Sequence, residues 1–425
     1  MKTTITLMLL LVAATIMAQE PFRGCGFDHL LYSSEHQVRW NEAYRHALEH
    51  HHNQQRADGV LAIPVVFHVV WHEDYQNLHD SVIQSQIDVL NEDYRRLNAD
   101  AINTRSEFLS VAADTEIEFF LAEVDPNGEP TSGIVHVETD VTGFELNLLD
   151  FSTLDAVKLT SEGGSDAWDP DHYLNIWVCN MPETFWGQIF GYAYPPEGAP
   201  NWPAGNSAPE PGLEGVVLHY ATVGRNNPQG MDDNLEGNEK GRTCTHEVGH
   251  YLGLRHIWGD AFFNGCTEDD GLEDTPNAST STNFVCDYSK NGCDDGESDL
   301  PDMIENYMDY NEDECYNMFT YEQREMMRFC LETFRPGLLE GVGIAVPEVQ
   351  EVSFSLFPNP AGESFSVTGQ WPAFSRLMIH DMSGRVVQEQ AIKANGTQQI
   401  DITNLAAGSY VVSINESAPQ HLMKR

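Results

Sequence analysis

The chain predicts an α+β domain followed by a small all-β sandwich, and three observations carry that expectation. Nearly every residue over 63–71 is apolar, as in a strand buried on both faces. Ile83, Ile87, Leu90, Tyr94 and Leu97 then recur at spacings of four and three, the period of a long amphipathic helix that would lie against the sheet containing that strand. Beyond residue 350 the texture changes to short alternating runs, among them Leu377-Met378-Ile379 and Tyr410-Val411-Val412, with Ser383-Gly384 as a hairpin turn.

Pro64 is tolerable at the start of the first strand, where no ladder hydrogen is yet required. Ser81 and Gln84 read as a capping box for the helix. Further strands are expected over 117–124, 173–179 and 216–220. Residues 189–194 interleave small and aromatic side chains ahead of a Pro-rich loop, the pattern of an edge strand that can pair with an extended peptide through its main chain. A helix is expected over 321–333, followed by a Pro- and Gly-marked linker.

Length and charge bound the function. At 425 residues the chain is long enough for two or three domains, and a net charge of -44 excludes nucleic acid as a partner, because phosphate would be repelled. The same charge suits an exported or calcium-binding protein. Lys2, the apolar run over 7–16 and the small residue Ala18 read as a secretory leader covering 1–18. That run is too short to span a bilayer, and no later stretch reads as a membrane helix. Eight cysteines suit an oxidising compartment.

The chemistry centres on residues 245–256. On a helix, His246 and His250 project from one face and can chelate one ion. Glu247 lies beside that ion without binding it, placed to take a proton from water the metal has acidified. Gly253 permits a sharp, left-handed exit from the helix, which returns His256 as a third ligand. Three imidazoles and one open position make a catalytic zinc site rather than a structural one. Some fifty residues on, Met308 can sit beneath the three histidines and Tyr310 can donate its phenolic hydrogen to an oxyanion. Cys25, flanked by Gly24 and Gly26, can fill the open position as a thiolate and keep the site shut; an ordinary disulfide is the alternative. The histidines at 46, 50, 51 and 52 read as a solvated surface, and cleavage is expected near Arg56 and Ala57.

On these residues the sequence resembles the pappalysin family of metzincin metalloproteases. The likeness includes residues 63–71, the run Gly241-Arg242-Thr243-Cys244-Thr245 leading into the metal helix, Asp274-Thr275-Pro276, the turn at Met308, and Phe319, Thr320 and Gln323. It implies a metzincin fold and endopeptidase activity on protein or peptide substrates, with His246, His250 and His256 as zinc ligands, Glu247 as general base and acid, Tyr310 as transition-state stabiliser, and Cys25 as the blocking ligand of a latent form. It also implies disulfides Cys266 to Cys293 and Cys286 to Cys315. Cys179, Cys244 and Cys330 are left over, a Cys244 to Cys330 bridge being open. Between residues 260 and 314 stand 17 Asp and Glu and one basic residue, Lys290, and Asp270 with Asp274 resembles the family's Ca²⁺ segment. Relatives that cut before arginine carry an Asp just ahead of the cysteine after the Met308 turn. Here that position is Glu314, so a basic residue after the scissile bond is expected, Arg or Lys.

The expected organisation is therefore leader 1–18, propeptide 19–56, catalytic domain 57–335, linker 336–349 and β-sandwich 350–425. The last block, ending in Lys424-Arg425, resembles the C-terminal sorting domain of type IX secretion, which implies export across the outer membrane to the medium or the cell surface. A second function class, a non-catalytic adhesin on a protease scaffold, is disfavoured because Glu247 and all three histidines are present.

Overall fold

The computed structural model describes residues 22–25, 59–340 and 353–425, apart from the stretches 146–150, 184–186, 200–201, 203–205, 230–237, 261–265, 267–268, 283, 297–298, 372–374, 383–384, 393–395 and 415–418. The expected leader, the histidines at 46–52, the cleavage point at Arg56 and most of the linker lie outside the described residues.

The first unit is built on a seven-stranded sheet. Its strands in chain order are β1 (Phe22–Cys25), β2 (Leu61–Trp71), β3 (Ile117–Leu121), β4 (Ile134–Glu138), β5 (Leu174–Cys179), β6 (Gly187–Ala193) and β7 (Val216–His219). The spatial order is β1-β6-β7-β5-β2-β3, and β4 also pairs β2. β2 spans eleven residues because it serves two neighbours on one edge: residues 61–65 pair β3 and residues 67–71 pair β4. All these pairings are parallel except β6 with β7, so β6 runs against its sheet. β1 pairs β6 in parallel, with Cys25 opposite Gly191. The strand β4, half-exposed and interrupted by His136, has too weak an alternation to be read from sequence.

Helix α1 (Asp80–Tyr94) packs on β3. The expected Ser81/Gln84 box does not cap it: His79 does, its side chain accepting from the Ser81 N–H. Arg96 takes a left-handed φ of 49°, which ends the helix ahead of Leu97. The apolar stripe is only part of the packing. Asn91 makes two hydrogen bonds to the main chain of Phe119, and Gln86 bridges Gly224 N–H and the Gly241 carbonyl. Helix α2 (Arg242–Tyr251) packs against α1, β6 and β7, and helix α3 (Tyr321–Phe334) starts on a capping box of Thr320 and Gln323.

Both expected disulfides, Cys266–Cys293 and Cys286–Cys315, are formed. The open Cys244 to Cys330 bridge is not; Cys179, Cys244 and Cys330 are buried thiols, used as small apolar fillers. The second unit is a sandwich of a three-stranded and a four-stranded sheet over a core including Phe365, Trp371, Leu377, Ile379 and Val412.

Asp93, on α1, joins three elements. It accepts from Thr245 Oγ1 at 2.8 Å and from Tyr307 Oη at 2.7 Å, and pairs with Arg242 at 3.4 Å. Replacing it with alanine leaves two buried hydroxyls and a buried guanidinium short of an acceptor, so Asp93→Ala is expected to cost about 3–5 kcal/mol in denaturant unfolding; a loss below about 1 kcal/mol would show that the junction does not depend on it.

Candidate metal centre and active site

Helix α2 ends at Leu252 as its C-cap, and Gly253 follows with φ 96°. A Cβ at Gly253 would stand 2.5 Å from Cys330 Sγ, so both the left-handed turn and the close approach demand glycine. The turn returns His256 to the helix face carrying His246 and His250. The three Nε2 atoms lie 3.1–3.2 Å from one another.

Those contacts are not hydrogen bonds, because the other ring nitrogens decide where the protons sit. Nδ1 of His246 faces the Tyr307 carbonyl at 2.7 Å and Nδ1 of His250 faces the Leu254 carbonyl at 2.9 Å; carbonyls only accept, so both Nδ1 atoms donate. Burial, with the neighbouring imidazoles, pushes His246 down to about 3 and His250 well below its ordinary value, so both rings are neutral. His256 Nδ1 donates to Asp260 Oδ1 at 2.5 Å. Burial alone would raise the Asp260 pKa, but Arg255 and His256 hold that carboxyl below its usual range. The Nε2 lone pairs of His246 and His250 therefore converge with the Nε2 of His256 on one point, an arrangement that fits a cation. Tetrahedral bonds of about 2.0–2.1 Å would separate such nitrogens by about 3.3 Å, close to what is seen.

Cys25 brings the fourth donor: its Sγ and the three nitrogens all lie within 4.8 Å of one another. The thiol donates to Glu247 Oε2 at 3.3 Å, and Tyr310 Oη donates to the Cys25 carbonyl at 3.2 Å. Among the described residues one other His, Cys, Asp or Glu group is gathered closely, Cys286, Glu312 and Cys315, and its cysteines are a disulfide.

Met308 lies against the bare backbone of α2: a Cβ at Gly249 would meet its sulfur at 2.5 Å. The turn bearing it is held by Asn306, which exchanges hydrogen bonds with Gln323. Trp258 stacks on His256 with ring centroids 4.3 Å apart. Sequence reasoning missed Asp260 and the Tyr307 carbonyl. The first had a signal, a carboxylate four residues after a ligand-type histidine; a main-chain carbonyl has none.

Beside Glu247 and Tyr310 opens a pocket whose lining includes Phe190, Asn238, Arg242, Phe284, Asp313 and Tyr316. Glu314 is absent from it. Its side chain is 78% exposed and stands 3.8 Å from Lys240, whereas the adjacent carboxylate, Asp313, is turned inward. Asp313 is buried; its Oδ2 accepts from Lys240 N–H, while its Oδ1 has no partner among the described residues. Burial pushes it up to about 7, partly offset by Arg242.

The carboxylates expected to serve calcium also have partners within the chain. Asp270 is engaged by Leu272 N–H and Thr275 Oγ1, and Asp274 by Thr320 Oγ1 and Glu322 N–H at the start of α3. These carboxylates brace turns, and they join no cluster of three acidic or imidazole ligands among the described residues.

Comparison with known proteins agrees with this geometry. The model of a peptidase family described as pregnancy-associated plasma protein-A matches residues 160–332, and that of a secretion-system C-terminal sorting domain matches residues 355–425. An extracellular metalloprotease of Arthroderma benhamiae is 26% identical over 321 residues, 74% of this chain and 86% of the relative. The structure of mature mirolysin from Tannerella forsythia with a cleaved peptide is matched at 40% identity and a TM-score of 0.56, covering 66% of this chain and 96% of that one. A promirolysin mutant from the same organism is matched at 36% identity and a TM-score of 0.61, covering 75% and 97%. The adhesin alternative falls away with these matches. A chain that spans nearly the whole of such relatives and carries the family's donor set at one point belongs to the pappalysin-type metalloproteases, exported by way of its C-terminal sorting domain to the medium or the cell surface.

Proposed function

We propose that this chain is a zinc endopeptidase, made latent by its own N-terminal segment and cutting ahead of basic residues. The observation that carries the reading is the convergence of three imidazole Nε2 atoms beside a buried carboxylate, with a thiol over them. His246, His250 and His256 would hold the zinc in the active form and Cys25 would join them in the latent one, three nitrogens and a sulfur being a donor set suited to zinc. When bound, the ion would supply Lewis acidity, making water easier to deprotonate and the scissile carbonyl easier to attack.

The rest is done by the chain's own residues. Glu247 takes the proton of the attacking water and later delivers it to the leaving amine. In the latent arrangement it is wholly buried and in reach of the Cys25 thiol. Tyr310 already donates to a main-chain carbonyl, that of Cys25, which supports its donating to the oxyanion of a substrate carbonyl in the same region. β6 offers its edge to an extended peptide, as it now does to β1. Residue 25 must leave for substrate to enter, so latency and substrate binding use the same edge.

The basic preference moves to Asp313, a residue that lines the pocket and whose buried Oδ1 has no partner among the described residues. A guanidinium or ammonium there would gain a charge-assisted hydrogen bond of about 1.5–3 kcal/mol.

Glu247→Gln is expected to keep one zinc per chain by elemental analysis while kcat falls by about 10²-fold or more; an active, chelator-insensitive Glu247→Gln enzyme would refute the mechanism. Full-length Cys25→Ala should cleave a reporter peptide without loss of its N-terminal segment, whereas the full-length native chain should not; equal latency of the two proteins would remove Cys25 from the switch. Asp313→Asn should lower kcat/KM for peptides with Arg or Lys after the scissile bond by about tenfold or more and leave apolar ones nearly unchanged. Because Asp313 gains its charge only as it loses its proton, the native preference for basic residues should strengthen as pH rises through about 7, and the Asn variant should lose that dependence. A flat profile in the native enzyme would sink this assignment.

A further inference from the structure

A buried ion pair lies outside the chemistry above. Lys158 Nζ stands 2.9 Å from Asp155 Oδ1, and both side chains are almost wholly removed from solvent. The ammonium also donates to the Leu213 carbonyl at 2.7 Å and is walled by the rings of Trp177, Tyr192 and Tyr194, whose centroids lie 5.5, 4.7 and 4.5 Å away. Asp155 accepts in addition from Tyr192 Oη at 3.1 Å and Tyr194 Oη at 2.8 Å. One carboxylate thus gathers an ammonium and two phenols, and both phenols come from the edge strand or the residue after it.

The position of that strand matters to the reaction. Gly191 is packed so tightly against Glu247 that a Cβ would meet Glu247 Cγ at 2.7 Å, and it is the residue opposite Cys25. Neighbouring residues of a strand face opposite ways, so Tyr192 points to the far side, into the cluster with Trp177 and Cys179. β6 is weakly held by its own sheet. Only residues 191–193 pair with β7, and among the described strands residues 187–189 pair with β1 alone. When β1 leaves, that half of the edge must keep its place by other means.

We infer that Asp155 and Lys158 are positioning residues for peptide binding: through Tyr192 and Tyr194 they hold β6 at the height where its main chain can pair with a peptide running past Glu247. The inference rests on the endopeptidase reading for its substrate and on the geometry for its anchor. An anchored edge accepts a peptide without first paying the entropy of ordering a strand. The same anchor holds β1, so it governs how often the latent form opens.

The test uses the full-length protein and two variants, Tyr194→Phe, which removes one hydroxyl, and Asp155→Asn, which removes the shared charge. Iodoacetamide labelling is followed at each cysteine by mass spectrometry, with buried Cys244 and Cys330 reporting global opening. Cys25 is expected to label about threefold faster or more in the variants, with Cys244 and Cys330 unchanged. In the activated enzymes, KM for an eight-residue peptide should rise about threefold to tenfold at constant kcat, and a peptide too short to reach residues 187–189 should be unaffected. Unchanged Cys25 labelling, acceleration of all three cysteines together, or equal kinetic losses on both peptides would overturn the inference. Labelling needs no catalysis, so an inactive native chain would count against the endopeptidase reading alone. If Asp155→Asn fails to accumulate, Tyr194→Phe decides.

Discussion

Three imidazole Nε2 atoms aimed at one point repel one another unless a cation lies between them, and most of the catalytic unit is arranged to keep them so aimed. Each ring is fixed through its Nδ1 by a different part of the chain: the Tyr307 carbonyl ahead of Met308, the Leu254 carbonyl in the turn after α2, and Asp260 beyond His256. These partners are themselves held. Tyr307 is tied to Asp93 on α1, and Asp260 is bound by Arg255. The metal site is thus a meeting of three segments, each with its own brace, and no single helix could make it.

The edge of the sheet would join the proposed latency to the proposed catalysis. β1 occupies it, its Cys25 thiol reaching Glu247 and its Cys25 carbonyl reaching Tyr310, so one four-residue strand touches the groups proposed to move protons and to stabilise the oxyanion. Because β6 carries Gly191 beside Glu247, a backbone laid along it passes close to that carboxylate without a side chain intervening. The buried Asp155 and Lys158 pair on the far side gives that edge a fixed backing.

The acidic excess has a structural use as well as a solvating one. Asp93, Asp260, Asp270, Asp274 and Asp313 are each engaged by hydroxyls, backbone N–H groups or arginine in the interior or near it. A stretch crowded with carboxylates invites a calcium reading, yet Asp270 and Asp274 spend their oxygens on turns and on the start of α3. Where a buried carboxylate is left with an oxygen to spare, at Asp313, it faces the pocket beside the candidate active site.

By itself the sequence determined what depends on local spacing. The placement of His246 and His250 one turn apart on one face follows from helical period, Gly253 from the left-handed exit it allows, the buried strand at β2 from its unbroken apolar run, and the sandwich of the C-terminal unit from alternation. The resemblance added the disulfides. What only the tertiary structure decided was which way side chains on turns and edges point. Glu314 and Asp313 are neighbours of like charge, and nothing in their spacing says which enters the pocket; that depends on Lys240 and Arg242, some seventy residues away, drawing Asp313 and its backbone inward. His79, not Ser81, caps α1, since capping depends on backbone geometry at one residue rather than on a pattern. Asp155 and Lys158 likewise look like surface charges three residues apart, and become an anchor only where β6 brings two tyrosines over them, because long-range strand pairing, not local periodicity, sets that contact.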